Sequence, residues 1–282
     1  MHRLPKDCRS YFKEYAMTYL SAKDLDEALN LRKKYPDFFL FCGGSDLSIK
    51  LKKSDINGII DISHLQELSY INKNSDTIKI GALTTVNTIL KDSEINRHLR
   101  ILSEACRDFA SHQIRNIATL GGNIANDSPV ADLIAPLLVL RSRVTLLSVN
   151  GERTIFLEEL FDGYKSLNLH NEIITSFTLP IMQHQYYYRK VGPRAKLNIA
   201  KVSLAIVKNE EGFFASGASL NPYISRFHHL EKILNSGIFS DEMIKKALAS
   251  DISPSGSFRS TKEYRANVLF NMIKEALKGF KE

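Results

Sequence analysis

The sequence predicts an α+β protein whose strands sit in short neighbouring groups. Two observations carry this. Asn150-Gly151 separates two β-type runs, 143–149 and 152–156, which is a strong hairpin signal. In the last third, three β-type runs (186–191, 200–207 and 213–220) are followed by three helical patterns. Strands gathered first and helices gathered after them suggest a separate α+β unit with a three-stranded antiparallel sheet.

Each element has its own signal. Residues 21–34 read as a helix with Ser21 as N-cap and with Leu25, Ala28, Leu29 and Arg32 on one face. Residues 38–42 form a fully apolar strand that ends at Gly43-Gly44, and Ile49 and Leu51 resume an alternating pattern. Residues 58–62 are a second buried strand, and 78–82 are a strand leading to a turn. A helix starts at Val86, and residues 98–110 carry an apolar helical stripe of Leu99, Leu102, Ala105, Cys106 and Phe109. Residues 133–140 are apolar throughout and read as a buried helix. Residues 172–179 are a strand that Pro180 ends. The polar stretch 181–185 marks a boundary, with helices expected at 228–234, 240–249 and 260–280 beyond the three C-terminal strands.

Composition narrows the function classes. The chain has 282 residues, room for about two domains and a sizeable core. Hydrophobic residues are 44% and charged residues 24%, ordinary for a globular protein. The net charge of +7 is spread along the chain, and its densest cluster, Lys50-Leu51-Lys52-Lys53, suits a solvated surface better than a nucleic-acid arm. No stretch reaches the ~18 apolar residues of a membrane span, and the first residues lack the apolar core of a signal peptide. A cytoplasmic protein is expected. Cys8, Cys42 and Cys106 share no metal-ligand spacing, which argues against an iron–sulfur or zinc site held by this chain.

Two glycine pairs carry the functional signal. Gly43-Gly44 follows Leu40-Phe41-Cys42 and precedes Ser45-Asp46-Leu47; Gly121-Gly122 follows Thr119-Leu120 and precedes Asn123. Glycine lets the backbone turn tightly and approach a ligand closely. Consecutive N–H groups in such a turn form a nest that suits a phosphate. Asn123, Asn126 and Asp132 supply directional hydrogen-bonding groups. Two such loops suit a ligand with a diphosphate and a long body. Neither has the spacing of a P-loop or of the dinucleotide Rossmann fingerprint.

At this point the residues match a family. The chain resembles the FAD-binding subunit of the molybdenum hydroxylases, the group that includes xanthine dehydrogenase, over nearly its whole length. The family's A-G-G-T-D-L motif stands here as residues 42–47, and its Q-I-R-N-x-A-T-x-G-G-N-I-x-N-x-S-P-x-x-D motif as residues 113–132. A Y-R-K segment stands at Tyr188-Arg189-Lys190, and a Ser, Tyr and Arg pattern at 260–265. The resemblance implies a PCMH-type FAD-binding domain at 11–182, with α+β subdomains of about 11–65 and 66–182, and a smaller C-terminal domain at 183–282. It implies that FAD lies between the subdomains. Leu40, Phe41, Cys42, Gly43, Gly44, Ser45, Asp46 and Leu47, with Thr119, Leu120, Gly121, Gly122 and Asn123, would hold the diphosphate and its surroundings through backbone N–H groups. Asp132 would accept from cofactor hydroxyls. Phe109 would lie near the isoalloxazine face, and Ile174 and Lys190 would approach the cofactor, Lys190 favouring its reduced, anionic form.

Several of these residues have plainer readings. Phe109 also suits core packing, Lys190 a surface charge, and Cys42 a small apolar role. Arg115 would brace its loop, and His112 reads as structural. Tyr186, Tyr187 and Tyr188 would either shield the flavin or alternate in a strand. The chain offers no nucleophile–base pair, so the chemistry would be the cofactor's. By resemblance, a molybdopterin-binding large subunit oxidises a substrate, a [2Fe-2S] small subunit relays the electrons, and this chain passes them through FAD to NAD+ or another acceptor. The alternative is a stand-alone FAD-dependent oxidoreductase with its own substrate, and a nucleotide-binding scaffold is a third reading. Relatives that reduce thioesters carry an added Cys-bound cluster, and this chain lacks those cysteines.

Overall fold

The computed structural model describes residues 17–51, 56–194, 198–257 and 260–280. Cys8, Lys52 and Lys53 lie outside them. Among the described residues the chain builds three main sheets. The first contains β1 (Thr18–Ser21), β2 (Phe39–Phe41) and β3 (Gly58–Asp61), in the order β1-β3-β2 with both pairs parallel. Parallel neighbours require crossovers, and α1 (Leu25–Lys34) and α2 (Leu47–Leu51) occupy them.

Two local expectations shift here. Ser21 does not cap α1, because it ends β1 opposite Asp61. Asp24 is the cap, its carboxylate accepting from the Glu27 N–H at 2.8 Å. Ile49 and Leu51 lie in a helical turn rather than a strand, the Ser48 and Ile49 N–H groups donating back to the Gly44 and Asp46 carbonyls, both at 3.1 Å.

The second sheet starts with β4 (Ile71–Lys73) and β5 (Thr77–Gly81). A run of short helices follows: α3 (Val86–Lys91), α4 (Ser93–His98), α5 (Arg100–Asp108), α6 (His112–Arg115), α7 (Leu120–Ala125) and α8 (Ile134–Val139). Then come β6 (Arg143–Ser148) and β7 (Gly151–Phe156), the small pair β8 (Phe161–Gly163) and β9 (Ser166–Leu167), and β10 (Ile173–Pro180). The sheet order is β4-β5-β10-β6-β7, antiparallel throughout. The β6–β7 hairpin turns at Val149-Asn150, while Gly151, with φ of 131°, already pairs with Ser148. The helices cover this sheet and build the largest core with it.

The third sheet is β11 (Gln185–Val191), β12 (Val202–Asn209) and β13 (Gly212–Ser216), antiparallel in sequence order. It is followed by α9 (His228–Asn235), α10 (Asp241–Asp251) and α11 (Lys262–Gly279). Strand side chains alternate between faces, and here both faces are covered. Ala205 and Val207 join the large core, while Val202, Leu204 and Ile206 join the core under α9, α10 and α11. This explains the nearly unbroken apolar run of β12. The same alternation sorts the tyrosines. Tyr186 and Tyr188 pack toward the large core and Tyr187 toward the other. Lys190 falls on the face of Tyr186 and Tyr188, which carries it inward. Among the described residues, no helix is long and apolar enough to cross a membrane.

Candidate cofactor-binding cleft

A cleft of about 1150 Å³ lies where the loop after β2, helix α7, the loop after α5 and the start of β10 converge. Leu40, residues 42–47, Phe109, Thr119, residues 121–123, Asp132 and Ile174 all line it. Phe41, Leu120 and Lys190 do not. The Phe41 ring packs over Gly44, where an added Cβ would sit 2.5 Å from the ring edge. Leu120 is fully buried in the large core and anchors α7.

The two glycine loops differ in what their N–H groups do. The N–H groups of Gly43, Gly44, Ser45 and Asp46 meet no acceptor among the described residues. Gly44 has φ of 62°, a left-handed conformation that glycine adopts without strain. Four consecutive open donors in a cleft-lining turn make a nest for an anion.

The second loop is not a free turn. Residues 120–125 are helical, and Thr119 caps them by accepting from the Gly122 N–H at 3.1 Å. The N–H groups of Leu120, Gly121 and Asn123 donate to Ala or Thr carbonyls: Thr84, Ala82 and Thr119 at 3.1, 2.8 and 3.0 Å. The N–H groups expected here to cradle a diphosphate are therefore already engaged. What this segment presents to the cleft includes the Asn123 side chain, whose Oδ1 is buried without a hydrogen-bond partner.

The glycines mainly allow the loops to pack on protein. A Cβ on Gly43 would sit 1.7 Å from the Ile117 carbonyl oxygen. One on Gly121 would sit 2.8 Å from the Ala82 Cβ, and one on Gly122 3.1 Å from the Cys42 Sγ. Cys42 and Thr119 themselves touch, Sγ to Oγ1, at 3.3 Å.

At the inner end, Lys190 Nζ donates to Asp132 Oδ2 at 2.7 Å and to the Asp108 carbonyl at 3.2 Å. The Lys190 side chain is 3% exposed, so it holds the carboxylate from behind the cleft wall. Burial pushes the Asp132 carboxyl up to about 6, against the pull of Lys190. Asp132 Oδ1 is buried and unpartnered. The Tyr188 hydroxyl is also buried without a partner, and burial and Asp132 raise its pKa well above the ordinary range. Arg115 clamps the turn that carries Phe109, donating to the Phe109 and Ala110 carbonyls at 2.7 and 3.2 Å. His112 lies in α6, away from the cleft lining.

The cleft also holds residues that no sequence signal marks, among them Lys50, Asp127 and Lys165. Lys50 Nζ bridges Asp46 Oδ2 and Asn126 Oδ1, both at 2.6 Å, and so ties α2 to the end of α7. Asp127 and Lys165 also line the cleft. Lys50 belongs to a basic cluster that reads as solvated surface, and Asp127 stands at an unspecified position of the 113–132 motif. Cys42 and Cys106 are free thiols; the Cys106 thiol is pushed far up by burial and is inert. Among the described residues, no cluster of His, Cys, Asp or Glu is placed to hold a metal.

This cleft fits FAD on its own features. Its volume exceeds the ~1000 Å³ upper end of ordinary small-molecule pockets, as an extended dinucleotide requires. It offers unengaged N–H donors for a diphosphate, and orphaned acceptors at Asn123 and Asp132 for hydroxyl or ring N–H donors.

The comparisons agree with that fit. Residues 13–182 match the family model described as FAD binding domain in molybdopterin dehydrogenase. The chain is similar to the xanthine dehydrogenase FAD-binding subunit of Escherichia coli O157:H7, 29% identical over 276 residues, covering 92% of this chain and 94% of that protein. It is 32% identical over 234 residues to the nicotinate dehydrogenase FAD-subunit of Eubacterium barkeri, covering 77% of this chain and 78% of that protein. Among solved structures, a chain of Hydrogenophaga pseudoflava carbon monoxide dehydrogenase superposes with a TM-score of 0.85 at 26% identity, covering 93% of this chain and 96% of that one. The chain belongs to the FAD-binding family of the molybdopterin dehydrogenases and is an FAD-binding oxidoreductase subunit of the molybdenum hydroxylase type.

Proposed function

We propose that this chain is the electron-transfer subunit of a molybdenum hydroxylase, taking electrons from a [2Fe-2S] partner subunit and delivering them to NAD+ or another soluble acceptor. Substrate oxidation then belongs to a molybdopterin-binding large subunit. The observation that carries the reading is the cleft's pairing of an open N–H nest at residues 43–46 with the buried Asp132–Lys190 pair. When bound, FAD supplies the redox chemistry; the protein supplies binding, orientation and electrostatics.

The chain's own residues divide that work. The nest binds the diphosphate. Asp132 accepts from a cofactor donor through its open oxygen. Lys190 fixes the other oxygen of Asp132 and adds a buried positive charge that favours an anionic ring system. Phe109, held by Arg115, covers the ring and keeps water from it. We further propose that the chain divides into an FAD-binding domain at 11–182, with subdomains of about 11–65 and 66–182, and a C-terminal domain at 183–282.

The test is direct. The purified chain should carry FAD at about one equivalent and co-purify with two further subunits when its genomic neighbours are co-expressed. NADH should bleach its flavin absorbance under anaerobic conditions. A correctly folded chain that takes up no FAD overturns the reading; one that takes up FAD but turns over a substrate without partners supports the stand-alone alternative.

A further inference from the structure

Asp127 is a buried acid of this cleft that none of these assignments uses. It lines the cleft, is 2% exposed, and holds a left-handed backbone with φ of 41°. Both of its carboxylate oxygens are buried without a hydrogen-bond partner. The amides of Ser166 and Lys165 and the Lys165 positive charge draw its pKa partly back, yet neither amide reaches hydrogen-bonding geometry and no side chain donates to it. Burial still leaves the carboxyl raised to about 6, so it is largely ionised at neutral pH. A buried carboxylate without donors is costly. Such a group in a binding cleft is completed by a donor on the ligand.

Its position narrows which donor. Lys50 joins Asp46, in the open N–H nest, to Asn126, the residue before Asp127. Asp127 therefore sits beside the proposed diphosphate loop. A diphosphate is an anion with no donor to offer. The groups that flank a diphosphate in FAD are sugars: the ribityl chain on one side and the ribose on the other. We propose that Asp127 is a cofactor-recognition residue, its carboxylate accepting hydrogen bonds from sugar hydroxyls next to the diphosphate. The inference rests on the FAD reading. Binding of FAD to the wild-type chain tests that reading, and the variant below tests Asp127 separately.

The variant is Asp127→Asn in the full chain. Asn tolerates the left-handed backbone, and the Asp127 N–H bond to the Ile124 carbonyl is unaffected by the change. Replacing an unpartnered buried anion by a neutral amide should raise the melting temperature of the flavin-free chain. The same change should weaken FAD by about tenfold or more, the scale of a charge-assisted hydrogen bond. Opposite signs in the two readouts separate ligand recognition from a structural role. Titration of flavin-free chain with FAD, FMN and ADP locates the sugar. Loss with FAD and ADP assigns the ribose; loss with FAD and FMN assigns the ribityl chain. Wild-type affinity of the variant for all three overturns the proposal. So does a fall in melting temperature that accompanies the loss of affinity.

Discussion

The two glycine loops look alike in sequence and differ in the folded chain. The loop at 43–46 leaves four consecutive N–H groups open at the cleft. The segment at 119–125 closes its N–H groups into a helix start and into β5's following turn through Thr84 and Ala82. One loop keeps open donors of the kind that suit an anion, and the other is packed against its neighbours. Gly43 teaches the dependence between them: its missing Cβ lets the first loop rest on the Ile117 carbonyl, just ahead of the second. Close approach here is protein on protein, and the cleft between the loops results from it.

The sharpest way to break this comparison is Gly43→Ala. A Cβ 1.7 Å from a backbone oxygen cannot be relieved by a side-chain rotation. The loops must separate, at a cost of about 3 kcal/mol or more. Chemical denaturation should show the loss of stability, and absorbance at the flavin bands should show the loss of FAD. Full flavin content in this variant would mean that the loops do not need to touch.

Next in size is a pH effect from the second segment's far end. Asp127 and Asp132 both have carboxyls raised to about 6 in the folded chain, from an ordinary value of 3.8. A carboxyl raised by folding holds its proton longer in the folded state than in the unfolded one. Its contribution is greatest below the unfolded value and is lost as pH rises through the folded value. The flavin-free chain should therefore lose stability from these two groups as pH rises from about 4 to about 6. The gap between Asp127→Asn and wild type in urea midpoints should widen over that window, on the order of 1 kcal/mol. A gap that stays constant with pH would remove Asp127 as a titrating group.

The smallest effect is the most discriminating between the loops. Thr119→Ala removes the cap on Gly122 and should cost about 1 kcal/mol of stability, while FAD affinity changes by less than about threefold. A larger loss of affinity, measured by fluorescence titration, would show that the second segment binds the cofactor as the first does.

Much of the site was legible in order along the chain. The Gly pairs, the acid at Asp132 and the Lys at 190 are local signals set in recognisable motifs, and all but Lys190 among these line the cleft. Lys190 stands behind Asp132, outside the cleft lining, with its side chain 3% exposed. The strand period explains how it gets there, since Tyr186, Tyr188 and Lys190 share the face that meets the large core. The engagement of the second loop's N–H groups was not legible. Their acceptors, at Thr84 and Ala82, lie more than 30 residues upstream, in a turn whose place depends on how β5 pairs with β10.

The α+β class, most of the strand and helix runs, the Gly43-Gly44 turn and the family follow from the sequence alone, because these rest on periodicity, backbone freedom and motif spacing within short windows; the helix at Gly121-Gly122 does not. Only the tertiary structure decided which donors stay open, that Lys190 and Asp132 meet across 58 residues, and that Asp127 is buried with nothing to satisfy it. The physical reason is that a hydrogen bond or a desolvated charge depends on everything within a few ångströms, and those neighbours come from distant parts of the chain.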